Sequence, residues 1–371
     1  LKRNLKLRLC FNKKGAKQEV RQVSVNSLTV GDVLGKTIFS SSGRILLGKG
    51  VKLTSLFIAK LRDMGISILY IEDDRFDDVL VEDVISEEHR RDALEILEKS
   101  TRSVRLGKNL EGFELKKVIN NIVEEILFKK DILVNMMDMR SKDNQMFAHS
   151  VNVCVLSTVL GKALFLDREK LETLATGAIL HDIGKVHLDP KLLNLVGALT
   201  PEEGVLLKTH TTLGFEELKK RKDLNLIIAH IAFQHHEHMN GTGYPRNLKE
   251  GEIHPLAQIV AIADFYDKYT SDHSVEKRIM PHEACEILMG LAGTLYPLEM
   301  VRLFLKNIAA YPTGVTVRLN NGEIGVVVDQ NLSMPARPVV RVFNELEFGK
   351  NVTKEYDMVE NRTIFIDKVL C

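Results

Sequence analysis

At 371 residues, with 44% hydrophobic and 27% charged positions, the chain has room for two or three domains and the make-up of an ordinary globular protein. A net charge of +1 excludes a global field that would recruit nucleic acid or membrane, and four scattered cysteines (Cys10, Cys154, Cys285, Cys371) exclude a disulfide scaffold or a C-x-x-C metal site. A reducing cytoplasm is the expected location: no apolar run approaches the ~20 residues of a membrane span, and residues 1–21 lack the apolar core of a signal peptide.

Those 21 residues hold eight Lys or Arg against one acid, Glu19, and read as a solvated basic tail. Residues 22–77 predict a small α+β module, with strands at 32–39 and 44–47 around the turn Ser41-Ser42-Gly43. A helix follows over 54–64, capped by Thr54 or Ser55 and ended by Gly65, and a strand returns over 66–72. No phosphate loop or metal cluster appears in it, so a regulatory or docking role is the default expectation. Residues 78–135 are helical and strongly charged, with an apolar stripe through Val84, Leu94, Leu97, Val104, Leu115, Val118, Ile119, Ile122, Ile126 and Leu127. A helical connector is expected there, its stripe buried against the next domain or against its twin in a homodimer.

Residues 136–310 carry helix after helix, at 150–164, 168–180, 201–219, 224–234, 256–269, 281–290 and 297–306, which predicts an all-α domain. Beyond it the hydrophobic period changes to two. Strands at 315–319 and 324–329 flank the hairpin signal Asn320-Asn321-Gly322, and strands at 339–343 and 363–369 complete a small β module over 311–371. The expected fold class is mainly α, an all-α helical domain between a small N-terminal α+β module and a small C-terminal β module.

The residues that carry chemistry gather in the helical block. His149 opens one apolar helix, His181 and Asp182 end another, His210 lies within a third, His235 and His236 finish a fourth, and Asp264 sits inside a fifth. Any one of these histidines alone is ordinarily a cap or a satisfied core group. Together, imidazoles and carboxylates arriving from separate helices without sulfur are what a site for more than one hard or borderline metal requires. His181 and Asp182 are adjacent, and adjacent side chains on a helix diverge, so both serve one site only where the chain leaves helical geometry; Gly184 is read as that exit. A carboxylate has two oxygens, which makes Asp182 the natural shared ligand. Two metals about 3.5 to 4 Å apart would hold a bridging hydroxide and clamp a phosphoryl oxygen. Lys185, one turn from His181, would meet the leaving oxygen. The set points to metal-assisted phosphoester hydrolysis.

Further motifs make the pattern specific: His181-Asp182-Ile183-Gly184-Lys185, Leu199-Thr200-Pro201-Glu202-Glu203 ahead of Lys208-Thr209-His210, and His235-His236-Glu237 leading to Gly241-Thr242-Gly243-Tyr244-Pro245. Ile262-Ala263-Asp264 and Ala292-Gly293-Thr294 follow. By these motifs the block from about 145 to 305 resembles the HD-GYP family of bacterial cyclic di-GMP phosphodiesterases, a branch of the HD-domain metal hydrolases. The resemblance implies an HD-type helical domain, metal ligands at His149, His181, Asp182, His210, His235, His236 and Asp264, and a catalytic lysine at Lys185 beside the catalytic carboxylate of Asp182. It implies a cyclic dinucleotide substrate bound with help from Gly243, Tyr244 and Lys277. Glu237 is expected behind the ligands, orienting an imidazole, and Gly241 and Gly243 to allow a tight loop. His187, His230, His238, His254, His273 and His282 match no ligand position of the family.

The implied function is hydrolysis of cyclic di-GMP to pGpG, with onward cleavage to GMP left open, by a hydroxide bridging two metals. The alternatives are a non-hydrolysing cyclic di-GMP receptor that contacts diguanylate cyclases or effectors through the Gly-Tyr-Pro loop, and an HD hydrolase of another nucleotide. Two departures from the family pattern bear on this. Gln145 stands where some members carry a glutamate that helps hold a third metal, which favours two divalent ions, Fe or Mn. His273 and Glu276 stand where the family places a basic pair that grips the nucleotide.

Overall fold

The computed structural model describes residues 20–370 except 41, 67, 74, 75, 77, 78, 80, 82, 109–111, 136–144, 194, 196, 197, 272–278 and 345–351. Residues 1–19 of the basic tail, Lys277 and the positions 273 and 276 lie outside the described residues.

Strand β1 (Val20–Ser24) begins where the basic tail was expected to be ending. A short hairpin of β2 (Ile38–Phe39) and β3 (Ile45–Leu47) follows, then helix α1 (Ser55–Asp63), capped by Thr54, whose hydroxyl accepts from the Phe57 amide at 3.2 Å. Strand β4 (Ile68–Glu72) returns antiparallel to β1, Val20 opposite Glu72.

Helices α2 (Glu87–Arg105) and α3 (Gly112–Phe128) form where the stripe predicts them, but they are not a connector. Their apolar faces, Leu94, Leu97, Val104, Leu115, Ile119, Ile122 and Ile126, belong to one continuous core with Val151, Val155, Leu174, Ile231 and Val260 of the helices that follow. Most of the stripe that argued for a homodimer is therefore covered within the chain, leaving Val118 half-buried and Leu127 exposed, and the argument for a dimer loses its main support.

Helix α4 (Gln145–Ala163) is buried on every side from Ser150 to Gly161 and is the central helix of this core. It is long and apolar enough by length and composition to cross a membrane, yet 72% of its most apolar window is buried inside the protein. Around it stand α5 (Arg168–Leu180), the single turn α6 (Pro190–Leu193), α7 (Pro201–Lys208), α8 (His210–Leu218), α9 (Leu226–Gln234), α10 (Pro255–Thr270), α11 (Pro281–Leu291) and α12 (Leu298–Lys306). The helix expected over 201–219 is broken at Thr209, which both ends α7 and starts α8.

Five antiparallel strands close the chain: β5 (Thr316–Leu319), β6 (Ile324–Asp329), β7 (Val339–Asn344), β8 (Val352–Asp357) and β9 (Ile366–Leu370), in the sheet order β8-β7-β6-β5-β9. Gly322, at φ +88°, turns the β5–β6 hairpin. Strand β8 has no clean alternation of apolar residues, which hid it in the sequence. This sheet packs on the N-terminal module: Ile68 shares a core with Val315, Val317 and Val340, Phe76 and Val79 pack with Val326 and Val328, and the Gln22 amide donates to Gly314 O at 3.0 Å.

Candidate metal centre

Three of the site's histidines stand at helix C-termini, where last-turn carbonyls lack amide partners. His181 ends α5 and its Nδ1 lies 2.7 Å from Ala178 O; His210 follows α7, with Nδ1 2.7 Å from Leu207 O; His235 ends α9, with Nδ1 2.9 Å from Ala232 O. Because a carbonyl only accepts, each Nδ1 donates, and each Nε2 faces inward. The negative ends of α5, α7 and α9 converge there and favour a cation, offset in part by the positive end of α8, whose first residue is His210. His149, one turn into α4, uses a carboxylate in place of a carbonyl: its Nδ1 lies 2.6 Å from Asp267 Oδ2.

Asp182 lies at the middle, because the chain leaves α5 and turns into a short 3-10 helix over Ile183–His187. Its Oδ1 faces His210 Nε2 at 3.3 Å and His235 Nε2 at 3.9 Å, and its Oδ2 faces His181 Nε2 at 3.4 Å and His149 Nε2 at 3.8 Å. Asp264 of α10 adds Oδ1 at 3.0 Å from His149 Nε2 and 3.7 Å from His181 Nε2, and Oδ2 at 3.8 Å from His236 Nδ1. Lys185 Nζ pairs with Asp182 Oδ2. Gly184, read from the sequence as a helix exit, has a different necessity: a Cβ there would collide with the backbone of His210 and Gly214, so only glycine lets the turn lie against α8.

Charge divides the site. Burial opposes charge on every ring, but at His181 the Asp182 and Asp264 carboxylates overcome it and push the pKa up to about 10. His149 moves upward in the same way, against burial, through Asp264 and Asp267. Across Asp182 burial prevails: His210 falls to about 4 despite Asp182, and His235 to about 3 with help from neighbouring imidazoles. His236 falls well below the usual histidine value through burial and His235. Asp182 stays well below the carboxylate range although buried, because Lys185 and His181 stand beside it, and Asp264 does so through His149 and His181.

Two ligand groups follow, His149 with His181 and Asp182, and His210 with His235 and His236; within each, one ligand atom of every member lies within 4.8 Å of the others. His181 Nε2 and Asp182 Oδ1 are buried with no hydrogen-bond partner. A buried nitrogen and a buried oxygen left unsatisfied, among donors that are all nitrogen or carboxylate oxygen, fit divalent metal cations. Gln145, the first residue of α4, belongs to neither group.

The structure thus brings together all seven expected ligands and Lys185. Tyr244 lies over them, its ring stacked on His236 at 4.7 Å between centroids, with Lys208 Nζ 5.2 Å from the Tyr244 ring centroid. Burial pushes its phenol pKa upward. Gly243 packs where a Cβ would strike the backbone of His236, Glu237 and His238, so its evident role is to let the loop close on the paired histidines. Glu237 corrects the sequence reading. Its two oxygens accept from the backbone amides of Arg246 at 2.7 Å and Leu248 at 2.9 Å, so it ties down the loop and does not orient an imidazole. The carboxylate that does is Asp267, with Asn152 behind it, Nδ2 to Oδ1 at 2.9 Å. The signal was present: Asp267 stands three residues after Asp264 and Asn152 three after His149, each on its ligand's helix face. His254, outside the ligand set, caps α10.

Residues 128–297 match the family model described as "HD domain", and residues 316–371 the one described as "KOW domain associated with HD domain". The chain is 31% identical over 242 residues to the cyclic di-GMP phosphodiesterase PA4108 of Pseudomonas aeruginosa, covering 65% of this chain and 58% of that protein. It is 36% identical over 184 residues to a cyclic di-GMP phosphodiesterase of Thermotoga maritima, covering 49% and 50%. A third relative, the 3'3'-cGAMP-specific phosphodiesterase 2 of Vibrio cholerae, is 27% identical over 203 residues, 54% of this chain and 38% of that one. The chain spans 58% and 50% of the length of the first two.

Proposed function

We propose, from the match of residues 128–297 to the HD-domain family model, that the protein is a metal-dependent phosphodiesterase that hydrolyses cyclic di-GMP to pGpG. The observation that carries this reading is Asp182, with Oδ1 turned to His210 and His235 and Oδ2 turned to His149 and His181. A carboxylate so placed serves two cations at once. His149, His181, Asp182 and Asp264 would hold one ion and His210, His235, His236 and Asp182 the other. Bound there, a pair of divalent ions supplies Lewis acidity at the phosphoryl group.

The chain's own residues supply the rest. Nδ1 anchoring of His149, His181, His210 and His235 sets the four rings before substrate arrives, so no reorganisation accompanies the reaction. In the reaction the oxygen of water adds to phosphorus, the bond to the ribose 3′ oxygen breaks, and that oxygen leaves with a proton. Lys185, held beside Asp182, carries an N–H at Nζ for that oxygen. Tyr244, stacked on His236 with Lys208 Nζ over its ring, braces the wall of the site beside the paired histidines.

The test uses anaerobically purified protein of measured metal content, incubated with cyclic di-GMP and the products separated. Formation of pGpG in step with metal content is expected; metal-replete protein that binds but does not cleave would establish the receptor reading instead. The likeness to a 3'3'-cGAMP-specific enzyme favours a second substrate for the same assay. Faster turnover of 3'3'-cGAMP would reassign the nucleotide and keep the chemistry.

A further inference from the structure

Behind His149 a chain of hydrogen bonds runs out of the matched family region into helix α2. His149 Nδ1 meets Asp267 Oδ2 at 2.6 Å, Asn152 Nδ2 meets Asp267 Oδ1 at 2.9 Å, and Arg90 Nη1 meets Asn152 Oδ1 at 2.8 Å. Asn152 and Asp267 are buried and Arg90 is half-buried. We infer that Arg90 is a positioning residue for the metal centre, holding His149 in its ligating orientation through Asn152 and Asp267. The inference rests on the metal-centre reading above and deepens it.

The argument is one of direction. A guanidinium can only donate, so Arg90 compels the Asn152 amide to turn its oxygen toward α2 and its NH2 toward Asp267. Ionised Asp267 can only accept, so the proton between it and His149 belongs to Nδ1, and the lone pair of Nε2 is left for the site. Without Arg90, the Asn152 oxygen loses a charged donor that fixes which way the amide faces, which weakens the support behind the ring. Two helices interlock to make this possible: α4 presents His149 and Asn152, and α10 presents Asp264 and Asp267, each pair three residues apart and so on one face.

Arg90 is also well placed to report on the N-terminal module. One residue before it, His89 Nδ1 lies 2.5 Å from Glu125 Oε2, and the Glu125 carboxylate also accepts from the Ser86 amide at 2.9 Å, pinning the start of α2 to α3. One residue after it, Arg91 and Glu95 form the seat of the β2–β3 turn, where the Cβ direction of Gly43 (φ +73°) points at Arg91 O at 3.0 Å. Phe39 of β2 packs on the helical core itself. A shift of that hairpin moves α2, and with it the donor that orders the chain to His149.

The experiment is a calorimetric titration of metal-stripped, full-length protein with Mn2+, on wild type, Arg90→Met, Asn152→Leu and the double variant, with Leu94→Ala as a control for lost packing on the same helix. Wild type is expected to take two ions. Arg90→Met should weaken one of them about 10- to 100-fold, the range for loss of support behind a metal-bound histidine, and leave the other unchanged. The double variant should be no worse than Asn152→Leu alone, since links of one chain are not additive. Leu94→Ala should lower Tm and leave both affinities alone. Should Arg90→Met not fold, Arg90→Lys, which keeps a donor of shorter reach, should give an intermediate weakening of the same ion. Two unaltered ions in the Arg90 variants, equal weakening by Leu94→Ala, or additive losses in the double variant would overturn the inference. Wild type that takes up no Mn2+ would overturn the metal-centre reading and this inference with it.

Discussion

His210 and His235 on one side of Asp182, and His149 and His181 on the other, differ in what stands around their rings. Among the described residues, the first pair meets a single carboxylate oxygen, Asp182 Oδ1, so burial keeps both rings neutral, at about 4 and about 3. The second pair lies between Asp182, Asp264 and Asp267, and holds its protons upward, to about 10 at His181. One side chain therefore plays two parts in a single site. The neutral side is ready for a cation at neutral pH, whereas the anionic side must exchange protons for one.

The sharpest way to break the comparison is to remove what the two sides share. Asp182→Ala should abolish binding of both ions and lower kcat at least about a thousandfold, given that Lewis-acid stabilisation is worth several kcal/mol. Elemental analysis and turnover check it. One ion retained in full would mean that the sides are independent and Asp182 is not their common ligand.

Proton competition distinguishes the sides directly. A ligand whose pKa is raised loses its proton as pH rises, so Mn2+ affinity at the His149 and His181 side should climb about tenfold per pH unit per proton displaced between pH 6 and 8. At the His210 and His235 side the rings are already neutral above about 5, so that affinity should be flat over the same range. Titrations in buffers of differing ionisation enthalpy report the protons released. Equal slopes for both ions would erase the distinction.

Lys185→Ala should keep both ions and lower kcat about a hundredfold, the low end for loss of a proton-transfer group. A raised KM with kcat unchanged would make Lys185 a substrate clamp. The mildest effect is expected at the loop: Gly243→Ala forces a Cβ into the His236–His238 backbone and should cost about 1 to 3 kcal/mol of stability, read as a lowered Tm. An unchanged melt would show that the loop does not brace the His236 side.

Much of this was legible before any coordinates. Donor types, their order and the choice of Asp182 as the shared carboxylate follow from donor chemistry, and helix α5 falls over the residues its apolar period specifies. The hairpin at Asn320-Asn321-Gly322 is equally local. These depend on interactions within a few residues, which sequence records.

Other features depend on neighbours far away in the chain. Asp267 looks like one more charged helix residue until His149, 118 positions earlier, is laid against it. Glu237 looks like support for an imidazole until the loop folds back and two amides take its oxygens. The stripe of α2 and α3 has the same pattern whether it faces a twin or its own domain, because periodicity states that a face is apolar and not what covers it. Proton affinity is the extreme case. Histidines that are chemically identical in the sequence separate to about 10 and about 3 because burial is outweighed at His181 by the Asp182 and Asp264 carboxylates and is reinforced at His235 by neighbouring imidazoles, and only the packing of α4, α5, α9 and α10 decides which.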